Sequence, residues 1–487
     1  MKKRLILLGT IVFLTFLGCG EDYLEVEPTE FLSAEQVAEA AQDNQYVADA
    51  LINGVYSLMV QTGTGGTNLR HDDFGQKGYD IYTDMLSSDM ALSSSSYGWY
   101  TYITQYQTTQ DFTLISNYQP WRYYYRLIRS CNLIIDGNGG NDAVPDTDLG
   151  KSVMGQAKAI RAHSYFYLTQ LFANSYNPSQ EILPLYISPD QQSLPKSTTE
   201  DVFNQIVQDL TDAISLLDNY TRDNKVKVDK HVAKAILAYV YAAMGNDTGV
   251  ISMTNDVITQ GGFPIMSSSE VVGGFNNVST PGWIWGIDIT LDSGLDLVSW
   301  WGQIDLFTYS YAWAGDRKSI DSDLYASIPA NDIRKTQFPP SYNLMPINKF
   351  YHQNRVVGGQ RFIESDYVFM RSAEMYLLAA EAYAELGQDF NARERLKELV
   401  QLRVPDASYI DGLSGQALKD EIYFQTRVEL WGEGKTYLAL KRNQRSTTRG
   451  SNHLSFVGET IQHDDERLTF EIPEAEIQNN PNLNTQN

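Results

Sequence analysis

The sequence is short of cysteine, histidine and positive charge, and each shortage closes off a class of function. Only Cys19 and Cys131 occur in 487 residues, so no disulfide framework organises the fold. Cys131 lies in a helical pattern beside Leu127 and Ile128 and reads as an inert buried thiol rather than a nucleophile. The six histidines (His71, His163, His231, His352, His453, His463) never fall at zinc-ligand spacing. Lysine and arginine number 37 against 60 acidic residues, a formal charge of −23. That balance argues against nucleic acid or an anionic membrane face as partner. No Gly-x-Ser-x-Gly elbow is present. Gly432-Glu433-Gly434-Lys435-Thr436 looks like part of a phosphate loop, but Glu429 stands where its first glycine belongs. A helical pattern, not a strand, precedes it, which excludes nucleotide binding.

Long apolar runs are also scarce. The run from Leu5 to Leu17 is too short to span a bilayer as a stable helix. Lys2, Lys3 and Arg4 precede it, and Phe16-Leu17-Gly18-Cys19 ends it. A basic start, an apolar stretch and a small residue directly before cysteine predict a lipoprotein signal peptide over 1–18, with Cys19 as the acylated residue. Each buried acyl methylene adds about 0.8 kcal/mol of membrane affinity, so two or three chains make a stable anchor. Residues 19–32 then form a tether whose Glu21, Asp22 and Glu25 resemble the surface-export signal of lipoproteins in Bacteroidetes-type bacteria.

Helical periodicity dominates the chain beyond the tether. Ser33 and Gln36 make a capping box ahead of an amphipathic stretch that reaches Met59. Trp121, Tyr125, Ile128, Asn132 and Ile135 form a second stripe, and Val153 to Phe172 a third helix. Ser197 and Glu200 form another capping box before Val202, Ile206, Leu210, Ala213, Ile214 and Leu217. Asp229 caps a further helix that Gly245 ends. Residues 246–365 are rich in Gly, Ser, Asp and aromatics with little helical period; Trp283 to Ile287 reads as a short strand with both tryptophans packed on one face. Helices are expected again over Tyr367 to Leu386, Asn391 to Leu402 and Leu418 to Trp431. Paired helices with short turns suggest a tetratricopeptide-like array.

Six segments in order carry a family resemblance. They are Gln156 to Leu168 with its Ile160-Arg161-Ala162 and Tyr165-Phe166; Thr199 to Ala213; Phe369 to Leu377 with Ala380-Glu381-Ala382; Ala392-Arg393 with Leu396 and Arg403; Arg427 to Gly434; and Ile472-Pro473 through Asn480-Pro481 to Gln486-Asn487. The sequence departs from the pattern at Thr426, where glutamate is usual. Together, and behind the Cys19 motif, they resemble the SusD/RagB family of outer-membrane nutrient-uptake lipoproteins. The resemblance implies a mainly α fold: a tetratricopeptide-like scaffold, a loop-rich ligand-binding subdomain and a few short strands. It divides the chain into an N-terminal helical part (33–245), a variable middle (246–365) and a C-terminal helical part (366–487). It implies an outer-membrane, lipid-anchored protein facing the cell exterior, partnered by a SusC-like TonB-dependent transporter. Arg161 would need a buried carboxylate, for which Glu374 and Glu381 are candidates.

The 31 tyrosines and eight tryptophans exceed what a plain helical core requires. Two clusters lie in Ser- and Gly-bearing segments: Trp99, Tyr100 and Tyr102 after the serine run 93–96, and Trp300, Trp301, Tyr309, Tyr311 and Trp313. The resembled family builds its ligand site from an early loop and the middle region, so these are the glycan-stacking candidates, with Gln105, Gln303, Asp305 and Asp316 as polar neighbours. The expected function is non-catalytic capture of oligosaccharides; the alternatives are peptide capture within the same family or an exported glycoside hydrolase. No cofactor is expected. Asp288, Asp292 and Asp296, or Asp316, Asp321 and Asp323, could hold calcium, though neither set has EF-hand spacing.

Overall fold

The computed structural model describes residue 40 and residues 44–487 apart from 69 and 360. The expected signal peptide, Cys19, the acidic tether and the Ser33–Gln36 capping box lie outside the described residues. In chain order the elements that position the site are α1 (Gln45–Leu58), α2 (Gln76–Leu86), β1 (Met90–Leu92), α3 (Ile115–Gly137), α4 (Asp148–Phe172), α5 (Thr199–Leu216), α6 (Lys230–Ala243), α7 (Asp247–Gln260), β2 (Trp283–Ile287), α8 (Trp300–Ile304), β3 (Lys318–Ile320), β4 (Tyr367–Arg371), α9 (Ser372–Glu385), α10 (Asp389–Val400), α11 (Gly415–Glu429), α12 (Thr436–Arg442) and α13 (Glu474–Asn479).

Successive helices pack side by side, α3 on α4, α4 on α5, α5 on α6 and α6 on α7. The array then crosses to the C-terminal half through α7 and α9 and continues into α10 and α11. Helix α9 can sit in the middle because it is apolar on two faces. Ala373, Leu377, Ala380 and Ala384 face a core shared with Leu396, Leu399, Leu418 and Ile422. Met375, Leu378 and Ala382 face the main core, which runs from α1 to the last residues of the chain. Small side chains at 373, 380 and 384 let the neighbouring helices approach closely.

Several boundaries differ from the sequence-based expectation. Helix α7 fills the start of the segment expected to be irregular; it buries only Val250, Thr254 and Val257, a stripe too thin to stand out. Residues 367–371 are a strand, not the first turn of a helix, and pair antiparallel with Trp283–Ile287. The cap of α5 is Thr198, whose hydroxyl accepts from the Asp201 N–H at 3.1 Å, not Ser197. Asp229 caps α6 as expected, accepting from His231 and Val232. Cys131 is buried and free, its thiol pushed up to about 12 by burial.

Polar residues of the family-like segments hold the scaffold together. Arg161 is buried and pairs bidentately with Asp209 of α5 at 2.8 and 2.6 Å, with Asn132 and Asn141 as further acceptors. Glu374 and Glu381, its expected partners, are engaged elsewhere: Glu374 accepts from Tyr239 and from the Arg371 N–H, and Glu381 binds Arg442. A larger buried cluster joins five segments. Glu429 receives Arg403 at 2.9 Å, Arg371 at 2.7 Å and Arg334 at 3.1 Å. Glu433, from the phosphate-loop look-alike, takes Arg371 at 2.7 Å and Lys349 at 2.8 Å. Burial opposes the charge on Glu429, but Arg403, Arg371 and Arg334 override it and hold the carboxyl well below its ordinary range.

Candidate functional site

Strand β1 pairs antiparallel with β3, Met90 opposite Ile320 and Leu92 opposite Lys318. The chain leaving β1 (93–99) and the chain entering β3 (309–317) therefore emerge from one edge, though 220 residues separate Ser96 from Asp316. Asp316 is wholly buried and clamps the first loop onto the second. Its carboxylate accepts three backbone N–H groups, from Ser96 at 2.5 Å, Tyr97 at 2.7 Å and Trp99 at 3.2 Å. Ser94 adds a hydroxyl bond to the Gly315 carbonyl at 2.7 Å. Charge-assisted bonds to a buried carboxylate are strong, so the loop carrying Trp99 is held in one conformation.

On this frame the two expected aromatic clusters meet. Tyr311 contacts Tyr97 at a ring separation of 5.3 Å and Trp99 at 5.9 Å, both edge-on. His71 lies flat on Trp99 (5.2 Å, interplanar angle 2°), and its Nδ1 is hydrogen-bonded to the Tyr311 hydroxyl at 2.5 Å. Burial lowers the imidazole pKa, favouring the neutral ring that stacks here. Arg70 covers Trp99 at 5.6 Å and is itself held by Asp72 at 2.6 and 2.8 Å. Beyond Tyr311, Tyr309 and Trp313 lie 5.5 Å apart and are 40% and 44% exposed. Gly358 (φ +62°) seats its backbone against the Trp313 ring, where a Cβ would stand 2.5 Å from the indole. Tyr97 and Tyr102 are exposed as well. A depression of about 150 Å³, with Arg70, Asp72, Tyr97, Trp99, Tyr102 and Thr108 in its wall, opens beside Trp99.

Not every candidate reaches this surface. Trp300 and Trp301 are each only 1% exposed. Ser299 caps the short helix α8 through the Gly302 N–H, turning both indoles inward against Phe350, with the Lys77 ammonium 4.4 Å over Trp300. They are core residues, not stacking faces. Tyr100 is buried in the wall and Tyr311 supports the platform from below. Gln303 and Asp305, expected at the rim, are buried too. Gln303 bridges the His71 carbonyl and Lys318, while Asp305 binds the N–H groups of Phe307 and His352. The platform thus exposes Tyr97, Tyr102, Tyr309 and Trp313, with Trp99 half-buried among them beside His71 and Arg70. Arg70, His71 and Asp72 escape a reading of the sequence because they sit in an aperiodic loop ahead of α2. Gly75 turns the chain there at φ +76°, where a Cβ would collide with the Met59 carbonyl.

Two carboxylates beside the platform are committed, whereas Asp296, which acts on His71 and lies 4.0 Å from Arg361, stays partly exposed. Asp316 serves backbone donors, and Asp72 takes Arg70 along with weaker bonds from Tyr82 and Gln119. Asp321, from the second calcium-candidate set, caps a helix turn and accepts from Gly450. Among the described residues no three His, Cys, Asp or Glu side chains gather to hold a metal.

Two family models match the chain: one described as "Starch-binding associating with outer membrane" over residues 22–242, and that of the SusD family over 306–487. The chain belongs to the SusD/RagB family. SusD-like protein P25 from Formosa agariphila is 22% identical over 89% of this chain and 88% of its own length. SusD-like protein P2 from the same organism is 24% identical over 89% of each. Among solved structures, a SusD-like carbohydrate binding protein from Bacteroides vulgatus superposes with a TM-score of 0.74 at 22% identity, over 91% of this chain and 97% of that one. A SusD superfamily protein from Bacteroides thetaiotaomicron matches at 0.74 and 23%, over 91% and 99%. These likenesses fix the mainly α fold of this SusD-like chain. No helix among the described residues is long and apolar enough to cross a membrane.

Proposed function

We propose that this SusD-like protein captures oligosaccharides at the outer face of the outer membrane, without cleaving them, and passes them to a SusC-like TonB-dependent transporter. The observation that carries the reading is the aromatic platform: Tyr97, Trp99, Tyr309 and Trp313 from two distant loops, locked by Asp316. Pyranose rings present flat C–H faces that suit the exposed faces of indole and phenol, and such faces contribute large contact area at small entropic cost. Arg70, His71 and Tyr102 supply polar groups at the edge for ring hydroxyls. The family model described as starch-binding and outer-membrane-associated supports the saccharide and outer-membrane parts of the reading. Lipidation at Cys19 would supply the anchor.

The commitment of Asp72 and Asp316 favours a binding over a hydrolytic role. Glycoside hydrolysis needs two of them about 5 to 10 Å apart across the scissile bond, one free to donate a proton. Here the nearby pair is spent on an arginine and on backbone N–H groups. The test is to incubate the protein with maltooligosaccharides and other oligosaccharides, measuring binding by calorimetry and released reducing ends by chromatography. Saturable binding with no new reducing ends, together with co-purification of a large outer-membrane barrel, supports the proposal. Turnover would refute it, and binding of peptides but not saccharides would redirect it.

A further inference from the structure

A second cleft, of about 300 Å³, lies between α3, the turn 186–194 and α13. Its walls carry Tyr125 and Ile128 from α3 and Tyr186 from the turn, the two phenol rings 5.8 Å apart and edge-on. Its rim carries Arg129, Gln192 and Glu476. The volume falls at the lower end of the range of small-molecule sites, about 300–1,000 Å³.

The cleft is held in shape. The Tyr165 hydroxyl both donates to the Tyr186 carbonyl at 2.8 Å and accepts the Tyr186 N–H at 2.7 Å. Asn132 donates to the same carbonyl at 3.0 Å. Gln191 closes the turn by accepting from Ile187 and Ser188, and the Tyr186 hydroxyl accepts the Leu194 N–H at 3.2 Å. Glu476 is fixed by Trp121 and Asn480, each at 3.3 Å. In contrast, the Arg129 guanidinium and the Gln192 amide have no hydrogen-bond or ion-pair partner among the described residues. A rigid aromatic wall beneath uncommitted guanidinium and amide donors matches the chemistry of a sugar: a C–H face below and hydroxyl oxygens above.

We infer that this cleft is a second saccharide-binding site, independent of the Trp99 platform. The inference rests on the saccharide reading proposed above. Independence follows from α3 itself. Ser116 borders the Trp99 depression, and Tyr125 follows it by nine residues, about two and a half turns, which puts the two on opposite faces of the helix.

The test is calorimetric titration of the detergent-solubilised full chain with maltooligosaccharides and xylooligosaccharides, in wild type, Trp99→Ala, Arg129→Ala and Gln192→Ala. Arg129 and Gln192 are exposed, so their loss leaves the fold intact, which thermal melts check. The expected result is two binding sites in wild type, one remaining in Trp99→Ala. That remaining site weakens about tenfold or more when Arg129→Ala is added. A single site that Trp99→Ala abolishes and Arg129→Ala leaves untouched would overturn the second site while the platform stands. Binding lost in Arg129→Ala but not in Trp99→Ala would keep the second site and overturn the platform. No saccharide binding in wild type would overturn both.

Discussion

Asp316 sets the geometry of the platform, and Asp316→Asn isolates its contribution with the smallest change of shape. In the native site one carboxylate oxygen accepts from Ser96 and Tyr97 and the other from Trp99. An amide can keep the first oxygen, but its NH₂ group then faces the Trp99 N–H donor to donor. Bonds to a charged acceptor contribute about 1.5–3 kcal/mol each against about 1 for neutral ones; taking the low end for each of the three, losing the charge and one bond costs about 2–3 kcal/mol of loop docking. If only the docked loop binds, apparent affinity falls with the docked fraction, by up to about 30- to 150-fold and by about tenfold where the native loop is docked with some margin. Hydrogen exchange over residues 93–102, read beside calorimetry, checks both steps. Faster exchange there with an unchanged core and a parallel loss of saccharide affinity is expected. Unchanged exchange and affinity within about twofold would show that Asp316 does not organise the site.

Three other variants have defined outcomes. Glu429→Gln strips the shared anion from Arg403, Arg371 and Arg334 and is expected to cost about 3–5 kcal/mol in denaturant melts, as breaking a buried ion pair does. Because the Glu429 pKa is depressed on folding, its contribution is full above the ordinary carboxylate range and is lost as pH falls below about 4.5, so the variant's acid unfolding should be shallower. Trp301→Ala should destabilise by about 3–5 kcal/mol, as for a core aromatic, and leave saccharide affinity unaltered in the folded fraction. Burial holds the Lys318 ammonium down to about 7 against its usual 10.5. The unfolded chain therefore binds the extra proton between those values, and stability from this group rises with pH across that window. Lys318→Met should flatten that rise in melts taken from pH 7 to 10.

What the sequence shows and conceals depends on the range of each interaction. The stripes of α3, α4, α5 and α6 recur at three and four residues and are legible directly. Tyr367 to Arg371 is buried on both faces, so it lacks the alternation that marks a half-exposed strand and merges with the helical pattern after it. Trp283 to Ile287 is recognisable because the run alternates and follows Pro281-Gly282. Arg161 does need a carboxylate, but Asp209 lies 48 positions away on another helix, and residue type alone cannot choose it over Glu374 or Glu381. The site divides the same way. Two aromatic loops can be paired from the family resemblance, whereas their inward and outward faces are set by contacts that range from a local helix cap to a clamp 217 residues away. Ser299, which caps α8, turns Trp300 and Trp301 into the core, while Asp316 holds Trp99 half-buried and Gly358 leaves Trp313 exposed. His71, at no metal-ligand spacing in the sequence, is the ring on which Trp99 rests.

The most direct test of the capture proposal is titration of wild type and Trp99→Ala with a panel of oligosaccharides and peptides, with Trp301→Ala as the buried control. The proposal predicts saccharide binding in wild type, weakened in Trp99→Ala and retained in folded Trp301→Ala. Saccharide binding that survives removal of Trp99 at full strength, or its absence in wild type, would contradict it.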